Sequence, residues 1–137
     1  MERPTGKRIL VVEDEADMAA LLKSRLEVSG YSVQTASTGT EALDDAAAQL
    51  PDLVVLDLRL PDIHGYAVCR QLRQMATPWE LPILMLTAMD QPVDRLRGIG
   101  FGADVYLTKP FNSNEFVGTV NMLLAQKALR DEDALLP

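Results

Sequence analysis

Residues Leu53–Asp57 read LVVLD, four aliphatic residues in succession and then an acid. A strand with one wet face alternates apolar and polar residues. A strand buried on both faces reads as an unbroken apolar run, the mark of a parallel sheet covered by helices on either side. Arg8–Glu13 (RILVVE) and Pro82–Thr87 (PILMLT) read the same way and also close on a polar residue. Tyr31–Ala36 (YSVQTA) alternates, which suits an edge strand. Val105–Thr108 begins VYLTKPF, a short fifth strand followed directly by Lys109 and Pro110.

Helical patterns separate these runs. Glu15 to Ser29 carries Met18, Leu21, Leu22 and Leu26 at helical spacing, and Gly30 is placed to end that helix. Leu43, Ala46, Ala47 and Leu50 mark a second helix, and Val68, Cys69, Leu72 and Met75 a third. A short fourth helix is expected over Val93–Phe101, closed by Gly102. Phe116, Val117, Val120, Leu123 and Leu124 mark a fifth. Five strand–helix units in this order predict an α/β fold, a doubly wound five-stranded parallel sheet in the order 2-1-3-4-5 with helices on both faces. The expected organisation is a short extension over residues 1–7, one domain over 8–129 and a tail or linker over 130–137, from the DEDALLP stretch at Asp131 onward.

Bulk composition narrows the function classes. A chain of 137 residues, 47% hydrophobic and 24% charged, has the size and make-up of one globular domain. Its net charge of −7 argues against direct binding of a nucleic-acid backbone. No run approaches the ~20 apolar residues of a membrane span, and Met1 to Lys7 lacks the apolar core of a secretory signal. The lone Cys69 excludes an internal disulfide, and the expected location is cytoplasmic.

In a sheet of this topology ligands bind beyond the carboxyl ends of the strands, where the winding reverses, here between strands one and three. Glu13 and Asp14 end the first strand, Asp57 the third, Thr87 the fourth, and Thr108 and Lys109 the fifth. Taken singly, each acid reads as the first solvated residue of a loop, Thr87 as a strand former and Lys109 as a surface lysine. Jointly, four strands deliver polar groups to one edge. Three neighbouring carboxylates repel one another, and a divalent cation with hard oxygen ligands, Mg²⁺ with Mn²⁺ as a substitute, removes that conflict. Asp57, alone on the central strand, is the best-placed nucleophile for a phosphoryl group. Lys109 is a fixed counter-charge, with Pro110 setting the turn that aims it.

These residues resemble the receiver domain of two-component response regulators. ILVVEDE, LVVLDLRLPDIHG, ILMLTA and GADVYLTKPF match that family in order and spacing, over about Lys7 to Ala128. The resemblance implies a phosphorylation-activated switch, not an enzyme beyond its own phosphorylation and autodephosphorylation. Asp57 would be the phosphoacceptor. Glu13, Asp14, Asp57 and the main-chain carbonyl of Arg59 would be the metal ligands. Thr87, the main-chain N–H of Ala88 and Lys109 would be the phosphate contacts, and Tyr106 the switch aromatic. The Lys109–Pro110 bond would be cis, and Gly65 would let the third loop turn tightly. A histidine kinase or phosphotransfer protein would donate the phosphoryl group. An output domain or protein would read the face of the fourth helix, fifth strand and fifth helix, with a phosphorylation-dependent homodimer as a further expectation.

Departures from the family pattern refine this. Arg59 and Met89 occupy the two positions that tune dephosphorylation, and Met89 offers an in-line water no strong hydrogen bond, so slow autodephosphorylation is expected. GADVYLTKPF resembles the subfamily with winged-helix DNA-binding domains. However, Val105 stands where many members read Asp, and the fifth helix lacks the early arginines of their dimer. Other classes fit less well. A phosphatase with an Asp-x-Asp motif would need an acid where Arg59 stands, and a flavin carrier would not place EDEAD at a phosphate loop. A receiver acting unphosphorylated would not need the full acid, Thr and Lys set. His64 reads as a solvent-facing loop residue, Cys69 as core, Met18, Met75, Met85 and Met122 as packing, and Trp79 as a partly exposed cap.

Overall fold

The computed structural model describes residues 6–78, 80–88 and 102–134. The helix expected over Val93–Phe101, together with Met89 and Trp79, lies outside these residues. Five strands, β1 (Arg8–Val12), β2 (Ser32–Ala36), β3 (Leu53–Asp57), β4 (Ile83–Thr87) and β5 (Val105–Thr108), form one sheet in the order β2-β1-β3-β4-β5. Every neighbouring pair is parallel. Helices α1 (Ala16–Val28), α2 (Gly39–Ala48), α3 (Gly65–Met75) and a C-terminal helix (Ser113–Ala134) cover its two faces.

The unbroken apolar runs behave as the sequence predicts. Alternate residues of one strand point to opposite sides, and both sides are packed. Leu10, Val12, Val54, Leu56, Ile83 and Met85 meet Ala42 and Ala46 of α2 and Val68, Cys69 and Leu72 of α3. Ile9, Val11, Leu53, Val55, Leu84 and Leu86 meet Leu22 and Leu26 of α1 and Phe116, Val120 and Leu123 of the C-terminal helix. Burying one such aliphatic side chain stabilises by roughly 1.5–3 kcal/mol, so β3, buried along its whole length, is the axis of both cores. Strands β2 and β5 are the edges and are only partly buried.

Local signals set the helix ends. Gly30 at φ 99° takes the left-handed conformation that closes α1. The Thr38 side chain accepts the Glu41 N–H at 3.0 Å and starts α2.

Several helix residues depart from expectation. Leu21, Ala47, Leu50, Met75 and Met122 are exposed rather than packed. Each stripe seats fewer residues than helical spacing allows, because the sheet below contacts only its central rows. Cys69 and Met85 are fully buried as expected. The C-terminal helix continues through Ala134, past the Asp131 at which the tail was expected.

Asp52 joins three elements at the amino end of the sheet. It accepts the Arg8 N–H at 2.8 Å and the Lys127 ammonium at 3.1 Å. Burial alone would raise its pKa, but these donors outweigh burial and hold it below the ordinary 3.8. A lowered folded-state pKa contributes stability above the ordinary value, lost as pH falls through the folded one. Asp52→Asn is therefore expected to cost about 1 kcal/mol at pH 7 and to converge on the wild type as the pH drops below about 4. Urea unfolding across that range checks both.

Candidate functional site

The carboxyl edge of the sheet gathers the polar residues singled out above. Glu13 follows β1, Asp57 ends β3, Thr87 ends β4 and Lys109 follows β5. Glu13, Asp57 and Thr87 are 2%, 5% and 1% exposed, and Asp14 is exposed. One carboxylate oxygen from each of Glu13, Asp14 and Asp57 lies within 4.8 Å of the others. Lys109 Nζ donates to Asp57 Oδ2 at 2.7 Å and to Glu13 Oε1 at 3.1 Å. The Arg59 N–H donates to Asp57 Oδ1 at 2.8 Å. The Lys109–Pro110 bond is cis, and the Lys109 N–H donates to the Thr87 carbonyl at 2.6 Å.

Strand parity sorts these groups. Asp57 continues the side of Leu53 and Val55, and Lys109 that of Val105 and Leu107, toward α1 and the C-terminal helix. Thr87 continues the side of Ile83 and Met85, and Tyr106, paired in register with Met85, packs half-buried on that same side. The acid–lysine cluster and the Thr87–Tyr106 pair thus sit on opposite sides of the sheet edge. A cavity of about 350 Å³ opens over the cluster, lined by Glu13, Asp14, Met18, Asp57, Arg59, Ala88 and Lys109.

Electrostatics show the strain of this arrangement. Burial, and then the neighbouring Asp57 carboxylate, push the Glu13 pKa up to about 7 from 4.5, with Lys109 opposing. Burial would lower the Lys109 pKa, but Asp57 and Glu13 outweigh it and raise it, so the ammonium stays charged. One lysine does not neutralise three carboxylates. The set is made of hard oxygens close together, one of them reluctant to ionise, and that chemistry fits a small divalent cation.

Two features hold the loop after Asp57. A Cβ on Gly65 would lie 2.7 Å from Leu58 Cα and 2.8 Å from the carbonyl oxygens of Asp57 and Leu58. Gly65 is therefore required by close approach of backbone where the loop doubles back, its N–H donating to the Leu58 carbonyl at 2.9 Å. Asp62 accepts the Gly39 and Thr40 N–H groups at 2.8 and 3.0 Å and the Thr40 hydroxyl at 2.6 Å, tying this loop to the start of α2. Those donors lower the Asp62 pKa. Sequence reasoning missed Asp62. The Thr38–Glu41 spacing marks a helix start there, but nothing local assigns it a second cap 22 residues away. His64 is not simply a loop residue either. Its Nδ1 accepts the Tyr66 N–H at 3.3 Å at the start of α3.

Comparison with known proteins agrees with this geometry. Residues 9–121 match the family described as the response regulator receiver domain, and the chain belongs to that family. It is 48% identical over 124 residues to the alkaline phosphatase synthesis transcriptional regulatory protein PhoP of Bacillus subtilis (strain 168), covering 90% of this chain and 51% of that protein. It is 43% identical over 127 residues to the response regulator MprA of Mycobacterium ulcerans (strain Agy99), covering 93% and 54%. The chain thus spans about half the length of the curated relatives it matches. Among solved structures, a CheY-like receiver domain protein from Methanospirillum hungatei JF-1 superposes with a TM-score of 0.85 at 27% identity, covering 90% of this chain and 98% of that one. A putative response regulator from Chloroflexus aurantiacus J-10-fl gives 0.79 at 40% identity, covering 87% and 98%. This is a receiver domain of the two-component type. No helix among the described residues is long and apolar enough to cross a membrane.

Two variants probe the site. Because the folded-state pKa of Glu13 is raised, the native state binds the extra proton between about 4.5 and 7, and stability falls as pH rises through that window. Glu13→Gln removes this loss. Without divalent metal the variant is expected to match the wild type near pH 4 and exceed it at pH 8, as read by urea unfolding. Gly65→Ala is expected to cost about 2 kcal/mol, because backbone must move to admit the methyl group. Thermal unfolding measures it.

Proposed function

We propose that this chain is a phosphorylation-controlled signalling switch in which Asp57 accepts a phosphoryl group from the phosphohistidine of a histidine kinase or phosphotransfer protein. The observation that carries this reading is Lys109 Nζ bridging Asp57 and Glu13 at 2.7 and 3.1 Å beneath an open cavity. One oxygen of Asp57 is held by Lys109 and the other by the Arg59 N–H, so the carboxylate is oriented before any donor arrives.

In the transfer a carboxylate oxygen of Asp57 forms a bond to phosphorus. The phosphorus–nitrogen bond of the donor breaks, and its electron pair returns to the imidazole. Transfer of this kind is mostly positioning and charge neutralisation. Glu13, Asp14, Asp57 and the carbonyl of Arg59 would hold Mg²⁺ or Mn²⁺, which supplies positive charge to the transferring oxygens. Lys109 supplies the second positive pole, and the Ala88 N–H, on the cavity wall, a hydrogen bond.

The response follows from the other side of the sheet edge. Thr87 is drawn toward the new phosphoryl oxygens, and Tyr106, half-buried beside Met85, moves with the space it leaves. Moving such an equilibrium from 1:99 to 99:1 needs about 5.5 kcal/mol of differential stabilisation. Charge-assisted hydrogen bonds from Lys109 and Thr87 are the source. The output reads a face that includes β5 and the C-terminal helix. The reading places the protein in the cytoplasm and makes its only chemistry the gain and slow loss of its own phosphoryl group, with Arg59 and Met89 as the tuning positions.

Intact mass after incubation with acetyl phosphate and Mg²⁺ tests the proposal. The wild type is expected to gain one phosphoryl group. Asp57→Asn and the metal-free sample are expected to gain none. Absence of an adduct, with no binding of beryllofluoride either, would sink the switch and leave an interaction module that works unphosphorylated.

A further inference from the structure

A second cavity lies beside the acid–lysine cluster, between α1 and the start of the C-terminal helix. Its volume is about 410 Å³, within the ~300–1,000 Å³ range of small-molecule sites. Met18, Leu21 and Leu22 of α1 form one wall, and Pro110, Phe111 and Phe116 of the segment after β5 form the other. The two phenyl rings stack with centroids 5.6 Å apart. Leu21 is 47% exposed because it fronts this space and not the sheet.

Arg25 is the odd member of this lining. Met18, Leu21, Leu22 and Arg25 recur at the spacing of one helix face, and the last of them carries a charge. The residues three and four places away along α1, namely Leu21, Leu22, Val28 and Ser29, include no acid. Among the described residues the guanidinium has no hydrogen-bond or ion-pair partner. In a chain of net charge −7, Arg25 is thus a bare cation at the mouth of an apolar cavity. The other cation on the wall, Lys109, is committed to Asp57 and Glu13 at 2.7 and 3.1 Å.

We infer that this cavity binds a small aromatic carboxylate, with its ring between the leucines and the phenylalanines and its carboxylate on Arg25. Aromatic rings pack favourably against other rings, and the Met18 thioether adds a sulfur–ring contact. A guanidinium is a bidentate partner for a carboxylate. Charge selects the ligand. A neutral ring would gain the apolar contacts and leave Arg25 bare, and a cation would be repelled. The cavity shares Met18, Ala88 and Lys109 with the one over Asp57. An occupant therefore lies next to the acid cluster without using Asp57 or a metal. For a ligand this small in an open groove, the dissociation constant is expected on the order of 100 µM.

Amide NMR titration with naphthoate tests this. It uses neither Mg²⁺ nor a phosphodonor, so it can fail or succeed independently of the phosphorylation assay. Saturable shifts are expected around Leu21, Phe111 and Phe116. Naphthylmethanol, the neutral analogue, is expected to bind about fivefold more weakly or worse. Arg25→Gln is expected to weaken naphthoate about tenfold and to leave naphthylmethanol within about twofold, a split that simple loss of structure does not produce. Leu21→Asp is expected to abolish naphthoate binding, while Met75→Asp, at a similarly exposed apolar site on α3, leaves it unchanged. No saturable shift up to about 5 mM naphthoate would overturn the inference and leave the groove to a protein partner. Equal affinity for the acid and the alcohol, equal affinity of wild type and Arg25→Gln for naphthoate, or shifts scattered away from the groove would overturn it as well.

Discussion

Lys109 reaching back to Asp57 and Glu13 is the contact on which the rest of this structure turns. Its Nζ joins the ends of β1, β3 and β5, the central strands and one edge of the sheet. Two carboxylates at 2% and 5% exposure would be costly without it. Even with it, the Glu13 pKa sits near 7. The site is thus short of positive charge by construction, and that shortage is what a cation and an incoming phosphoryl donor would exploit.

The sheet keeps this constraint rigid. Central strands buried on both faces leave little room for β1, β3 and β4 to slide, since a slip of one residue would exchange the two cores. Asp57 therefore cannot retreat from Lys109. The loop after it is held from two directions, by Gly65 against the backbone of Leu58 and by Asp62 against α2. Arg73 of α3 does comparable work on the far side, donating to the Gly102 and Leu81 carbonyls and pairing with Asp104 at 2.7 Å.

Parity divides labour at the carboxyl edge. The acids and Lys109 lie toward α1 and the C-terminal helix, and Thr87 and Tyr106 toward the other core. A change in charge at the cluster reaches the Tyr106 side through Thr87 at the end of β4, a short path beside well-packed backbone. The cluster and the pair of residues that respond to it are neighbours without being in one compartment.

Much of this was present in the order of residues alone. Continuous apolar runs ending in acids announce a parallel sheet, and the topology rules for such sheets carry Glu13, Asp14, Asp57, Thr87 and Lys109 to one edge, because strand direction is shared and loops are short. What the chain order could not decide is how far each helix stripe sinks into the core. Leu21, Ala47, Leu50, Met75 and Met122 satisfy helical spacing and still face solvent, since periodicity names a face but the neighbouring element decides its width. Nor could it pair Asp62 with Gly39 and Thr40, or Arg73 with Asp104, because hydrogen bonds across 22 and 31 residues leave no local pattern. The charge state of Glu13 is likewise a tertiary property. It depends on how much water burial removes and how close Asp57 and Lys109 approach, and both are distances that only the folded chain sets.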